Sequence, residues 1–249
     1  MVSFASETIF SLGQINITNT VLNTVLVDAI LIIGAVFLSK RLKKIPSLFQ
    51  NAIETIIETF YNLIESVAAN RAEKIFPYVM SFFLFILVAN WSALVPGVGS
   101  IGFFEQHGEH EKQLIPFLRA TTSELNTTLA LALVSAFATH MISINTIGIK
   151  QYLGRFISLN PINLFVGILE IISEITKVVS LSFRLFGNIF AGEVVLVTVS
   201  SIFAILFPVP FLMLEIVVGL VQALVFSLLT MAFMAILSTP HKLKEVNTT

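Results

Sequence analysis

Five apolar stretches, each long enough to cross a bilayer, constrain this chain more than any other feature. They cover residues 20–39, 75–95, 125–145, 161–199 and 210–238. A crossing helix needs about 20 mostly apolar residues. The fourth stretch exceeds one perpendicular crossing and the fifth is also long, so both must tilt, bend or run beyond the hydrocarbon. Composition agrees with this reading. The chain is 56% hydrophobic and 12% charged, where a soluble domain carries roughly 45–50% and about 25%. So little charge cannot cover a water-soluble globule, which excludes a soluble enzyme, a nucleic-acid binder and a disordered chain. There are no cysteines, hence no disulfide, thiol catalysis or thiolate-held metal. The expected fold class is an all-α membrane protein of one polytopic domain, residues 1–249. It has five crossing helices, the last two long and tilted, and an interfacial amphipathic helix.

The basic residues set the topology, because Lys and Arg accumulate on the cytoplasmic side. With five crossings, Lys40, Arg41, Lys43, Lys44, Arg71, Lys74, Lys150, Arg155, Lys242 and Lys244 fall on one side. Lys112 and Arg119 fall on the other, and Lys177 and Arg184 lie within the fourth stretch. The N-terminal segment 1–19 and the loop 96–124 are therefore expected outside, and the tail 239–249 in the cytoplasm. The first basic residue is Lys40, so no signal peptide is expected. Residues 46–70 place Ile53, Ile56, Ile57, Phe60, Leu63, Ile64 and Val67 at helical spacing, with Glu54, Glu58 and Glu65 mostly on the remaining face. That pattern predicts an amphipathic helix lying in the cytoplasmic interface, with a solvated connecting helix as the alternative.

The outer loop holds GVGSIG, Gly97 to Gly102, which matches a dinucleotide pattern without the strand and βαβ unit that would give it meaning. It is read as a turn. Glu105, His107, Glu109 and His110 form an acidic and imidazole cluster, read as a solvated loop before a metal site. The sequons at Asn16, Asn90, Asn126 and Asn247 are read as chance. No internal repeat, phosphate-cradling loop or nucleophile motif is present.

The informative residues are the polar ones in the last two apolar stretches. Glu170, Glu174, Lys177, Ser180, Arg184, Asn188 and Glu193 lie in the fourth, and Glu215 and Gln222 in the fifth. Ionisable groups at the bilayer centre cost roughly 2.5 kcal/mol or more each and mark ion pathways by default. The bland alternative is an ion pair that locks two helices. At about 100° per residue, Lys177 lies about 20° and Ser180 and Asn188 about 40° from Arg184, which makes one stripe. Glu193 projects about 180° away and stands about 13 Å further out, so it should address a different partner. Glu215 and Gln222 share a face. If Gln222 is level with Arg184, Glu215 is about 10 Å outward, near the depth of Glu193. Glutamate can take up and release protons when burial shifts its pKa, whereas arginine holds its proton and can act only as a barrier. The carboxylate that passes this barrier should then belong to a partner.

Ser180 to Glu193, SLSFRLFGNIFAGE, resembles the signature of subunit a of F-type ATP synthases. LNTTLALAL from Leu125, NWSALVPG from Asn90 and EIVVGLVQALVF from Glu215 extend the resemblance over essentially the whole chain. The resemblance implies a non-catalytic stator subunit with two offset proton half-channels against a rotating c-subunit ring, without cofactor. The other partners it implies are the b-subunit peripheral stalk, the catalytic head and the lipid bilayer. Arg184 corresponds to the arginine that faces the ring carboxylates. Glu193 and Glu215 match the polar pair of the outer half-channel, with Asn90 and Gln222 as neighbours. Some bacterial members carry histidine at the Glu215 position, and this chain does not. Ser180, Asn188, Lys177, Glu170 and Glu174 are candidates for the inner half-channel. Asp28 receives no role, and His140 is read as a hydrogen-bonded interfacial residue. The short N-terminus favours a bacterial plasma membrane over an organelle inner membrane. The sequence leaves the choice of H⁺ or Na⁺ open. A secondary transporter would show inverted repeats and paired broken helices, which the sequence lacks. A membrane scaffold would use its polar residues only as glue. Co-purification with a ring of carboxylate-bearing hairpins separates both from the stator reading.

Overall fold

The helices begin and end at chemical punctuation in the sequence. In the computed structural model, which describes residues 7–12, 15–95, 101–107, 111–156, 161–202 and 208–239, α1 spans Asn19–Lys40. Thr18 caps it, its hydroxyl accepting the Val21 N–H at 3.4 Å. Ser47 caps α2 (Leu48–Ala68) in the same way, at 3.3 Å from the Gln50 N–H. The chain then reverses at Ala69, whose φ of 47° is left-handed, through a 3-10 turn into α3 (Ala72–Ser92). α4 (Leu125–Ile147) stops at Gly148, whose φ of 82° suits a residue without a side chain. A short α5 (Ile149–Phe156) follows. α6 spans Pro161–Ile202 and α7 spans Pro208–Leu237.

Two short antiparallel hairpins add strand to a chain read as all helical. β1 (Thr8–Leu12) pairs with β2 (Ile15–Thr18), and β3 (Gly102–His107) with β4 (Glu111–Pro116). Strands of four to six residues leave no periodicity that separates them from loop. Gly102, Glu105 and His107 thus belong to β3. The expected turn at 97–100, Glu109, His110 and the tail with Lys242, Lys244 and Asn247 lie outside the described residues. Among the described residues, no group of three or more His, Asp or Glu side chains could hold a metal ion.

Four helical segments among the described residues are long and apolar enough to cross a membrane. They are α1, the run Leu48–Ser92, α4 and α7. α6 is not one of them: its 42 residues carry Glu170, Glu174, Lys177, Arg184 and Glu193. At 1.5 Å per residue it is about 60 Å long, twice the hydrocarbon thickness.

α3 and α7 form the centre. Ile75, Val79 and Ile86 of α3 and Phe226 of α7 are fully buried, and Phe82 meets Phe226 with ring centroids 5.7 Å apart. α4 packs between α6 and α7 along a seam of small and hydroxyl residues, which let helices approach closely and bond across the contact. Thr128 Oγ1 lies 3.2 Å from Ser182 Oγ, and Ser135 Oγ lies 2.8 Å from Thr230 Oγ1. Ser143 donates to the Leu237 carbonyl at 2.7 Å. The apolar face expected for α2 is divided. Phe60 and Ile64 are buried, with the Phe60 ring tilted against Phe83 of α3 at a centroid separation of 4.6 Å, while Ile56, Leu63 and Val67 are exposed. One stripe packs inward and the other faces outward.

Candidate functional site

The site is built where α6 passes α7. Leu181 and Leu185 bury one side of α6, which leaves Arg184 on its exposed flank. An open groove of about 410 Å³ runs beside it, lined on α6 by Leu169, Ile172, Ser173, Thr176, Lys177, Ser180 and Leu181 and on α7 by Leu229 and Phe233. Arg184 Nη2 donates to Ser180 Oγ at 3.3 Å, and among the described residues Arg184 forms no ion pair. The other charges on this part of α6 are compensated. Lys177 Nζ is 2.7 Å from Glu174 Oε1 and 4.8 Å from the centroid of the Phe233 ring. Glu170 Oε1 is 2.6 Å from Arg155 Nε, and Arg155 also donates to the Leu237 carbonyl at 3.2 Å. Arg184 is therefore a permanent cation on an apolar flank with no carboxylate beside it in the described chain.

Asn188 and Gln222 join the two helices, with Asn188 Nδ2 donating to Gln222 Oε1 at 2.6 Å. This corrects the expected register. Gln222 is level with Asn188, one turn or about 6 Å along α6 from Arg184. Gln222 faces inward and is 4% exposed.

Further along α6 the second polar group differs in kind. Glu193 Oε1 stands 3.5 Å from Nε of Arg119, whose side chain is 8% exposed. Glu193 thus addresses a partner other than Arg184, as its angle predicts. Glu215 is buried on α7 against the bare backbone of Gly192, where a Cβ would lie 2.6 Å from Glu215 Oε1. The two glutamates therefore meet the same turn of α6. Glu193 Oε2, Glu215 Oε2 and Gln222 Nε2 are buried and meet no hydrogen-bond partner among the described residues. Buried polar atoms ordinarily find a partner, so these three retain unused bonding capacity.

Asn90 lies against Gly219 of α7. Its Nδ2 donates to the Gly219 carbonyl at 3.0 Å and its Oδ1 accepts from Thr122 Oγ1 at 2.6 Å. It ties α3 to α7 and to the 3-10 turn Thr121–Ser123. At the opposite end, Tyr152 Oη lies 2.9 Å from His140 Nδ1, so His140 is hydrogen-bonded as expected. Burial, with the Glu174 and Glu170 carboxylates, holds the Tyr152 phenol above its ordinary range. Asp28 is exposed on α1.

Sequence reasoning missed Arg119, Gly192 and Asn23. Asn23 Nδ2 donates to the Arg119 carbonyl at 2.9 Å and to Thr121 Oγ1 at 3.1 Å, which fixes the segment that presents Arg119. A signal for Arg119 existed, since it is one of two cations assigned to the side that holds Glu193 and Glu215.

Comparison with known proteins is consistent along the chain. The family described as ATP synthase A chain matches residues 21–235. ATP synthase subunit a 2 of Pelobacter propionicus is 34% identical over 92% of this chain and 91% of its own length. ATP synthase subunit a of Moorella thermoacetica is 32% identical over 91% and 94%. That of Legionella pneumophila strain Corby is 30% identical over 97% and 96%.

Proposed function

Because the chain belongs to the ATP synthase A chain family, we propose that it is the non-catalytic stator subunit of the membrane sector, and that it couples proton flow to rotation of a c-subunit ring. In this reading α1, α3, α4, α6 and α7 cross a bacterial plasma membrane, with the N-terminus outside and the C-terminus in the cytoplasm. α2 lies at the cytoplasmic interface. A b-subunit stalk and the catalytic head complete the assembly.

The observation that carries the reading is the contrast between Arg184 and Glu193. Glu193 is compensated within the chain by Arg119, whereas Arg184 lies on an exposed apolar flank, donates to Ser180 and forms no ion pair among the described residues. A guanidinium at that depth is costly without an anion, and a ring carboxylate that slides along the flank supplies one. A proton from outside reaches Glu193 and Glu215, with Gln222, Asn188 and Asn90 fixing the helices around them, and passes to a ring carboxylate. After nearly a full turn that carboxylate approaches Arg184. An opposite charge within about 4–6 Å lowers a carboxylate pKa by roughly 1–3 units, so the proton leaves before the carboxylate passes. It departs along the groove lined by Ser180 and Lys177, with Glu174, paired to Lys177, and Glu170 as further candidates on the same helix. Arginine cannot relay the proton, so protons cross only by riding the ring.

The test is ATP synthesis and passive proton flux in vesicles that hold the whole complex with Arg184→Ala or Arg184→Lys. Both variants should abolish synthesis, and the alanine form should leak. Near-normal synthesis with alanine refutes the mechanism.

A further inference from the structure

The structure carries a second cationic site, far from Arg184. Where α1 ends and α2 begins, a groove of about 530 Å³ is lined by Phe37, Lys40, Arg41, Lys43, Ser47 and Phe49 among others, and by no carboxylate. Lys40, Arg41 and Lys43 form no ion pair among the described residues. The loop that holds them is fixed. Gln50, 7% exposed, donates from Nε2 to the Lys43 carbonyl at 3.0 Å and accepts the Lys43 N–H at 3.2 Å. The Arg41 guanidinium carbon lies 4.1 Å from the centroid of the Phe37 ring. The acidic residue nearest in sequence, Glu54, is engaged by the Gln50 amide at 2.8 Å.

Apolar side chains surround these cations: Leu42 is 58% exposed, Ile45 86%, Leu48 92% and Phe49 69%. α1 is long and apolar enough to cross a membrane, with mean hydropathy 2.4 and only 11% of its span buried within the chain. The groove therefore lies where a crossing helix leaves the hydrocarbon. We propose that this groove binds the phosphate headgroup of an anionic phospholipid, with the acyl chains against Leu42, Ile45, Leu48 and Phe49. Lys and Arg give phosphate short, charge-assisted hydrogen bonds, and basic pockets beside membrane helices suit anionic headgroups. An acidic protein segment would match the charge and leave the four apolar side chains unused, so the combination favours an amphiphile. The proposal needs α1 to cross the membrane and is independent of the half-channel reading.

The full chain, purified in detergent, is incubated with phosphatidylglycerol or phosphatidylcholine, and bound lipid is read by native mass spectrometry. Retention of phosphatidylglycerol over phosphatidylcholine is expected, undiminished by millimolar inorganic phosphate. Each cation near a membrane surface contributes about fivefold to binding, so joint Lys40→Gln, Arg41→Gln and Lys43→Gln changes should weaken retention about 100-fold. Gln50→Ala keeps every cation and should still weaken retention, because it frees the loop. Lys74→Gln with Lys150→Gln should leave it unchanged. Equal retention of both lipids, full displacement by inorganic phosphate, or equal loss in the Lys74 and Lys150 control each overturns the proposal. So does an acidic segment of a partner subunit cross-linked to Lys43 in the intact complex with no phosphatidylglycerol retained.

Discussion

Arg119 Nε stands 3.5 Å from Glu193 Oε1 and joins the segment before α4 to the last third of α6. The contact gives a partly buried carboxylate its compensating cation from a remote part of the chain. Asn23 holds that segment by its Arg119 carbonyl, so α1 also bears on where Glu193 points.

Replacing Arg119 by Gln should leave Glu193 uncompensated and reduce both assembled subunit and proton-driven synthesis. Adding Glu193→Gln removes the stranded charge, so the double variant should lose less stability than the sum of the singles. Contacting groups couple by about 0.5–3 kcal/mol. The measurement is a double-mutant cycle on thermal stability of the purified chain. Strict additivity would show that the pair does not interact in solution.

Gly192→Ala tests the packing of the second glutamate. The added Cβ would lie 2.6 Å from Glu215 Oε1 and 3.0 Å from its Cδ. The displaced atoms are the far end of a flexible side chain, so the fold should survive while the carboxylate moves. Proton flux per assembled complex should fall several-fold at unchanged complex yield. Glu215→Asp, one methylene shorter, should recover part of it in the Gly192→Ala background. A fall in yield with normal flux per complex would make Gly192 a packing residue only.

Asn90→Ala should show the opposite pattern. The side chain is 3% exposed and bonds to Gly219 and Thr122. Removing it leaves the Thr122 hydroxyl without its acceptor, at about 1–3 kcal/mol, and takes the second bond from the Gly219 carbonyl, which lies within α7. Yield and thermal stability should drop, and flux per surviving complex should stay close to normal. Lost flux at full yield would instead place Asn90 in the proton path.

The long helices were legible because apolar run length acts locally. Ser47 and Gly148 bound α2 and α4 by local chemistry, although the sequence reading rested on run length and did not use them. The polar stripe on α6 was legible because helical angle is fixed by spacing, and this put Arg184 and Glu193 on opposite sides. The relative slide of α6 and α7 was not legible. It depends on which side chains interdigitate, and the structure seats Gln222 opposite Asn188. The side of Arg119 was legible but its pairing was not, since its partner is 74 positions away in sequence and the segment that presents it is held by Asn23 of α1. The two hairpins were too short to leave a period.

If the half-channels are offset as proposed, the two ends of α6 should meet water from opposite sides. Glu193 lies about 13 Å beyond Arg184 in one direction, and Ser173 about 16 Å in the other. Ser173 lines the groove beside Arg184, whereas Glu193 and Glu215 lie at the turn of α6 held by Arg119 and Gly192. Cysteine at Glu193 or Glu215 should therefore react with a small charged thiol reagent added to the outer side several-fold faster than from the cytoplasmic side. Cysteine at Ser173 should show the reverse preference. The chain has no native cysteine, so labelling read on this subunit has a single source. Sealed vesicles of both orientations, each holding the whole complex, allow the comparison at one reagent concentration. Equal reaction from both sides at Glu193 and Ser173 would mean one continuous aqueous path past Arg184. A continuous path cannot couple proton flow to rotation, so that result would remove the half-channel mechanism together with the barrier role of Arg184.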